Sequence, residues 1–164
     1  MKTTVRTLKT LATMALLCMA WNIPPSAAAE GIDRDTAIRM AESRAMAVMD
    51  AFLAAFNASD VPAWADTLLF PHVRLASGQV HVYPDRASFI DSMDMAVFAA
   101  RTGWRYSTWD DMAVVQSSLE KVHIRVRFSR FDANDTLLAS YDSLYIIEQA
   151  DGRWGVRARS SFAP

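Results

Sequence analysis

Few residues in this chain combine the type and the spacing that chemistry needs. His72, Arg74 and His81 flank Ser77-Gly78, a pair typical of a two-residue hairpin turn. In such a hairpin His72 faces Tyr83 and Arg74 faces His81, on one polar face. An imidazole exchanges protons near neutral pH, so this face offers an acid/base group beside a positive charge. Two histidines are too few for zinc, which takes about three or four ligands, so the sequence predicts no metal site and no cofactor.

A carboxylate in the second half of the chain is the other candidate for proton transfer. If the chain turns at Leu119-Glu120, strand pairing places Asp111 opposite Phe128, on the apolar face that also holds Ile124. A carboxylate on an apolar face has a raised pKa and can act as a general acid or base. The candidate catalytic residues are therefore Asp111 and His72, although an Asp at a strand end more often reaches water and caps a neighbouring backbone.

The last predicted hairpin supplies candidates for a binding pocket. With Asp151-Gly152 as a tight turn, Ile147 pairs with Val156, and successive pairs continue along the same face. That face also carries Tyr145 with Ala158, Ser143 with Ser160, and Tyr141 with Phe162. It is apolar near the turn and gains hydroxyl groups farther away, as a pocket with a few placed polar groups would.

The opposite face of this hairpin is charged. It carries Asp142, Arg157 and Arg159, and it continues onto Arg125 and Arg127 of the preceding strand. We expect this face to be solvated or to form a subunit interface. A slip of one residue in the register would reverse every such assignment.

These side chains need a framework of helices and strands. Asp33 or Asp35 can cap a long amphipathic helix that contains Phe52; a second, short helix carries Trp64 on its inner side, and a third ends at Gly103. After it, residues 104–162 consist of four strand-like runs separated by turn residues. The order predicts one α+β domain, residues 30–164, with three helices packed on an antiparallel sheet.

The first 29 residues indicate an export signal. Basic residues precede the uncharged apolar run 11–21, and Ala27-Ala28-Ala29 supplies the small residues that a signal peptidase needs. Cys18 could suggest a lipid anchor, but the large Leu17 precedes it. Cleavage after Ala29 would remove the only cysteine of the chain. We therefore expect a bacterial protein in the periplasm or outside the cell, not held in a membrane once the signal is cleaved.

The overall charge argues against one class of partner. The chain of 164 residues has a formal net charge of −1, and its basic residues do not cluster in the sequence. A nucleic-acid-binding domain would present a clustered basic surface, so no nucleic-acid partner is expected.

Three stretches carry a resemblance to a known family. Residues 52–69 (FLAAFNASDVPAWADTLL), residues 121–132 (KVHIRVRFSRFD) and the terminal hairpin turn at 151–156 resemble the NTF2-like superfamily, in its SnoaL-like and steroid-isomerase-like branch. The resemblance implies a cone, in which a curved antiparallel sheet wraps around helices and encloses an apolar pocket, and it implies a homodimer. Members include isomerases, dehydratases, cyclases and plain binding modules, so the fold does not choose among them.

The catalytic residues of the steroid isomerases transfer poorly to this chain. Their tyrosine would fall at Phe52, which has no hydroxyl group, and their base aspartate would fall near Ala76 or Ser77. Only their second acid has a counterpart, at Asp142, and strand parity turns that residue away from the pocket. Steroid-isomerase chemistry is therefore not expected.

The sequence thus predicts an exported domain that binds a small, largely apolar or aromatic molecule and is non-catalytic or accessory. One alternative is a cofactor-free isomerase, dehydratase or cyclase that uses Asp111 or His72 as its proton shuttle; another is a dimeric structural protein with a filled cone. The predicted pocket residues are Phe52, Trp64, Arg74, His81, Phe128, Tyr141, Ser143, Tyr145 and Ser160.

Overall fold

A computed structural model of the chain describes residues 32–164. The predicted signal peptide, with Cys18 and the cleavage position after Ala29, lies outside the described residues and stays a prediction. Within residues 32–164, no helix has the length and apolar character needed to cross a membrane.

Each helix begins at an aspartate whose side chain accepts a backbone N–H of the first turn, at 2.8–3.0 Å. The sequence predicted three helices; the third is divided in two at Met93 and Asp94, because Met93 is extended and Asp94 caps a new helix. Gly103 closes the last helix with a left-handed conformation that glycine adopts without strain. The helices are α1 Arg34–Asn57, α2 Val61–Asp66, α3 Arg86–Ser92 and α4 Met95–Thr102.

The remaining elements form one sheet of six strands. The strands are β1 Leu68–Ala76, β2 Gln79–Tyr83, β3 Tyr106–Ser117, β4 Lys121–Phe131, β5 Leu137–Ala150 and β6 Arg153–Ser161. Their spatial order is β2-β1-β6-β5-β4-β3. The predicted α+β class is confirmed, but the sheet is mixed, since β1 lies parallel to β6.

The core lies between α1 and the inner face of the sheet. Along α1 the buried residues Ala41, Ala45, Met49 and Phe52 follow helical spacing. The small alanines let the helix approach the sheet closely. Opposite them, the inner face is buried at Val122, Ile124, Val126, Tyr145, Ile147 and Val156.

The first hairpin has the predicted register. His72 pairs with Tyr83 and Arg74 with His81. Its orientation, however, is the reverse of what its hydrophobicity indicates: His72 is buried, whereas the valines of β2 are exposed. The polar face of the hairpin therefore points to the interior of the cone.

The other two hairpins depart from the predicted register because of β-bulges. Two bulges in β3 place Asp111 opposite Arg127 and Trp109 opposite Phe128. A bulge at Arg157 in β6 pairs Tyr145 with Arg159 instead of Ala158. An extra residue reverses the direction of every side chain beyond it. The bulge in β6 thus turns Arg159 inward and leaves Ser160 exposed.

Candidate ligand-binding site

A cavity of about 460 Å³ lies between the helices and the inner face of the sheet. Aromatic side chains form much of its wall: Phe52, Phe56, Trp64, Tyr83, Phe89 and Phe98. A second, much smaller pocket of about 20 Å³ shares Phe52, Phe56, Arg130 and Arg159 with it and extends to Trp109, Phe128 and Tyr145. The main volume is in the range of sites that hold drug-sized ligands, about 300–1,000 Å³.

The aromatic walls are braced against one another. Phe52 packs edge-on against Trp64 and Tyr145, with ring centroids 5.5 and 5.6 Å apart, and stacks on Trp109 at 6.4 Å. Trp64 in turn contacts Phe89 edge-on at 5.0 Å. These separations are those of favourable aromatic pairs, so the apolar part of the cavity is held in shape without a ligand.

Arg130 is the most deeply buried charge of the site. It is only 9% exposed, and its guanidinium lies over the rings of Phe98, Phe128 and Tyr141 at 5.1, 5.6 and 5.2 Å. Burial lowers the pKa of Arg130, and the positive charges of Arg159 and Arg74 act in the same direction. Contact with ring faces stabilises a cation but accepts none of its N–H groups through an oxygen.

Arg159 and Arg74 bring two further guanidinium groups to the same cavity. Arg159 donates to the Tyr145 hydroxyl at 3.3 Å and lies 5.7 Å from the centre of that ring. Burial lowers the pKa of Arg74, and the charge of Arg159 lowers it further. The ion pairs found in residues 32–164 include none of these three arginines.

His72 is fixed as a neutral imidazole beside them. It is 4% exposed, and its Nδ1 lies 3.1 Å from the carbonyl oxygen of Val156. A carbonyl only accepts, so Nδ1 carries the proton and Nε2 keeps its lone pair. Burial lowers the pKa of His72 to about 4, and the charges of Arg159 and Arg74 add to this effect. His72 is therefore a weak base that is uncharged at neutral pH.

Several predicted pocket residues come together in the structure. Phe52, Trp64, His72 and Arg74 line the main cavity. Phe128 and Tyr145 line the smaller pocket.

The other predicted pocket residues lie beside the cavity or away from it. His81 stacks on Tyr83, Tyr141 supports Arg130, and Ser143 donates to Ser161 at 2.7 Å within the core. Ser160 points outward, because the bulge in β6 moves Ser161 into its expected place opposite Ser143. The predicted inward orientation of Ser160 is wrong.

The two carboxylates considered from the sequence lie on the outer face of the sheet. Asp111 accepts from Arg125 at 2.8 Å, with half of its side chain exposed. Its predicted position on the apolar face is wrong, because the bulge at Val115 in β3 turns it outward. Asp142 also points outward, as strand parity predicted, and lies 3.4 Å from Arg127. Neither carboxylate reaches the cavity.

Sequence reasoning missed Arg130, Arg159 and Trp109. Arg130 continues the alternation of Ile124, Val126 and Phe128 along β4, so the signal was present in the sequence. Arg159 depends on the bulge in β6, for which the sequence has no clear signal. Trp109 shares the predicted strand parity of Asp111, and the two β3 bulges together restore that direction, so its signal was also present. Across residues 32–164, no three His, Cys, Asp or Glu side chains are grouped as metal ligands.

The chain matches a protein family over most of its length. Residues 41–161 fit the family described as "NTF2-like protein (DUF6841)". No curated protein matches the sequence.

Solved structures show the same fold at low sequence identity. An NTF2-like protein with a cystatin-like fold from Novosphingobium aromaticivorans is 12% identical, with a TM-score of 0.61 over 76% of this chain and 84% of that one. A Catenulispora acidiphila protein in complex with S-DNPA is 14% identical, with a TM-score of 0.59 over 76% and 93%. A ketosteroid isomerase-like protein from Erwinia carotovora atroseptica is 21% identical, with a TM-score of 0.51 over 74% and 96%. The six-stranded mixed sheet with its helices is consistent with the family match over residues 41–161. The chain therefore belongs to the NTF2-like family DUF6841.

Proposed function

We propose that this protein binds a small, largely apolar or aromatic molecule inside its cone and acts as a non-catalytic or accessory binding domain. The observation that carries the proposal is the cavity of about 460 Å³ with aromatic walls. A cavity with apolar walls and a few convergent polar groups is typical of a small-molecule site. The Catenulispora acidiphila neighbour, solved in complex with S-DNPA, has the same fold.

An isomerase, dehydratase or cyclase activity is not part of this proposal. Asp111, on which that alternative depended, is paired with Arg125 on the outer face. His72 remains in the cavity, but its pKa of about 4 makes it a poor proton acceptor at neutral pH.

Binding of the neutral apolar dye Nile red tests whether the cavity takes an apolar molecule. Val97 lines the cavity and is 49% exposed, whereas Val115 is 54% exposed and lies on β3 away from it. Val97→Trp should fill part of the cavity and weaken dye binding by about tenfold, equal to roughly 1.4 kcal/mol. Val115→Trp adds the same ring outside the cavity and should leave binding unchanged. Equal effects of the two variants, or no dye binding to the wild type, would contradict the proposal.

We also propose that the protein is a homodimer in which an apolar area of the outer face, on β2, β1 and β5, meets its own copy. Leu75 pairs with Val80 across β1 and β2, and with Ser160 of β6, which pairs with Leu144 of β5. Leu75, Val80 and Leu144 are all exposed, so the outer face has an apolar area. A two-fold axis can place such an area against itself.

Sedimentation of the wild type and of two lysine variants tests this assembly. Val80→Lys should shift the protein to monomer, because a charge would be buried in the contact, and Val115→Lys on β3 should not. A wild type that sediments as a monomer at about tens of micromolar would contradict a homodimer.

We also propose that the mature protein starts near Glu30 and lies in the periplasm or outside a bacterial cell. Support comes from the basic, apolar and small-residue order of residues 1–29. Intact-mass measurement of the exported protein should show the loss of residues 1–29. A retained Met1 or a lipid on Cys18 would contradict it.

A further inference from the structure

The cavity concentrates positive charge in a chain that has little charge overall. The formal net charge is −1, yet Arg74, Arg130 and Arg159 all line one cavity. They are close enough for the charges of Arg74 and Arg159 to lower the pKa of Arg130. The carboxylate that lines this cavity, Asp94, is exposed and accepts the backbone N–H of Val97 at 2.8 Å as a helix cap. Three guanidinium groups thus lie near one another, and none of them forms an ion pair with a carboxylate of residues 32–164.

Several buried polar atoms of the cavity also lack a hydrogen-bond partner among the described residues, and all of them are donors. In residues 32–164, the buried side-chain polar atoms that lack a partner are all N–H donors. They include Nε of Arg74, Arg130 and Arg159 and the indole Nε1 of Trp64, all from residues that line the cavity. A buried donor without an acceptor costs free energy. A group that satisfies these donors would be rich in acceptors.

A purely structural role does not explain this arrangement. The guanidinium carbon of Arg130 lies 5.1–5.6 Å from the centroids of three aromatic rings, yet its Nε has no hydrogen-bond acceptor within residues 32–164. A bound anion would accept from such donors and also offset the repulsion among the arginines. Charge-assisted hydrogen bonds of this kind are about twice as strong as neutral ones.

The walls determine what kind of anion would fit. Arginine presents a planar pair of donors that matches a carboxylate. Beside the arginines, Phe52, Phe56, Trp64 and Phe89 offer apolar surface that a strongly hydrated inorganic ion would leave unused. An organic acid uses both parts of the cavity.

We infer that the molecule bound in the cone is an organic acid whose carboxylate is held by Arg74, Arg130 and Arg159 while its apolar or aromatic body lies against the phenylalanines and Trp64. This inference rests on the proposed binding function and names the chemical class of its ligand. His72 donates its Nδ1–H to the Val156 carbonyl and stays neutral, so it adds no further charge.

Matched acid and amide probes test this inference. Benzoate, indole-3-acetate and decanoate are titrated into the protein by calorimetry, alongside benzamide, indole-3-acetamide and decanamide. Each amide keeps the apolar body and removes the negative charge. At least one acid should bind about tenfold or more tightly than its amide, since two charge-assisted hydrogen bonds are lost.

Two variants on one strand locate the effect. Arg130→Met should remove the preference for the acid, while Arg127→Met, on the opposite face of β4, should keep it. Arg159→Met provides a second cavity variant in case Arg130→Met does not fold. The NMR titration of His72 gives a readout at the site, because a bound carboxylate should offset Arg74 and Arg159 and raise the pKa of His72 above about 4.

The outcomes separate this inference from the proposed function. If acids and amides bind equally, or if both cavity variants keep the preference, the anion inference is wrong and the binding function stands. If no acid binds while Nile red does, the organic acid is excluded and the apolar cavity stands. If neither the dye nor any probe binds, the proposed function fails, and the inference fails with it.

Discussion

Arginines occur in two regions of this protein, and the arginines of the two regions have different partners. On the outer face of the sheet three arginines have a carboxylate partner: Arg125 with Asp111 at 2.8 Å, Arg127 with Asp142 at 3.4 Å, and Arg157 with Glu148 at 3.0 Å. In the cavity, Arg74, Arg130 and Arg159 have aromatic neighbours and one another. Arg125 and Arg127 are paired although about half of each side chain is exposed, whereas Arg130, which is only 9% exposed, has no carboxylate partner in the described part of the chain.

The contrast indicates what each region is for. Exposed ion pairs contribute about 0–1 kcal/mol each, so the outer pairs keep the sheet surface polar at little gain in stability. Buried charges without partners cost stability, and proteins keep such costs mainly at functional sites. The same strands carry both sets: β4 has Arg127 outside and Arg130 inside, and β6 has Arg157 and Arg159. Strand parity, altered by one bulge in β6, therefore separates the polar outer surface from the cavity.

The largest predicted effect belongs to His72, the titratable group beside the cavity arginines. Burial holds its folded pKa at about 4, below the ordinary value of 6.5. Between these values the unfolded chain binds a proton that the folded protein excludes, so stability is full above pH 6.5 and falls as the pH drops toward 4. The loss should reach about 3 kcal/mol, measured by urea denaturation across this pH window.

Two asparagine variants isolate this contribution. His72→Asn keeps an N–H for the Val156 carbonyl but cannot take up a proton, and its stability should change much less between pH 6.5 and 4. His123→Asn, on the outer face of β4, leaves His72 in place and should follow the wild type. Parallel pH curves for the wild type and His72→Asn would show that burial does not keep His72 neutral.

The second prediction concerns the stability cost of the cavity charges. Arg130→Met replaces a 9%-exposed guanidinium with an apolar side chain of similar length. Without ligand, the free energy of unfolding should rise by about 1–3 kcal/mol, because an unpaired buried charge is removed. Arg127→Met should change it by less than about 1 kcal/mol.

Thermal and urea denaturation at pH 7 measure both arginine variants. If Arg130→Met were instead less stable than the wild type, the contacts of Arg130 with Phe98 and Tyr141 would outweigh its burial. An unpaired arginine in the cavity would then not cost stability, and the cavity and the outer face would not differ in this respect.

Much of the fold and part of the cavity could be predicted from the sequence, but the inward direction of Arg159 could not. The hairpin at Ser77-Gly78 has the predicted pairing because a two-residue turn determines the register of the strands that follow. In β6, the bulge at Arg157 exchanges the directions of Arg159 and Ser160. That bulge is stabilised by a long-range contact, since Arg157 donates to the Phe70 carbonyl at 2.6 Å. No local sequence pattern encodes such a contact, and the cavity arginine beyond it was therefore missed.

The smallest predicted effect concerns Glu148 and its two partners on the outer face. Removing this charge should lower the free energy of unfolding, whereas removing the Arg130 charge in the cavity should raise it. Glu148 accepts from Lys121 at 2.8 Å and from Arg157 at 3.0 Å, and the hydrogen bond from Lys121 is the main cause that holds its pKa below the ordinary value of 4.5. This stability is present above pH 4.5 and is lost as the pH falls through the lower folded pKa.

Glu148→Gln should therefore cost about 1 kcal/mol at pH 7. Added sodium chloride should reduce this difference, since it screens the attraction between Glu148 and its partners. In the cavity, salt acts on repulsion instead, so it should stabilise the wild type relative to Arg130→Met. Urea denaturation of the three proteins in about 0.05 M and 0.5 M sodium chloride compares the two regions directly. Salt shifts of the same sign in both variants would mean that the cavity arginines are already neutralised, and the contrast between paired and unpaired arginines would not hold.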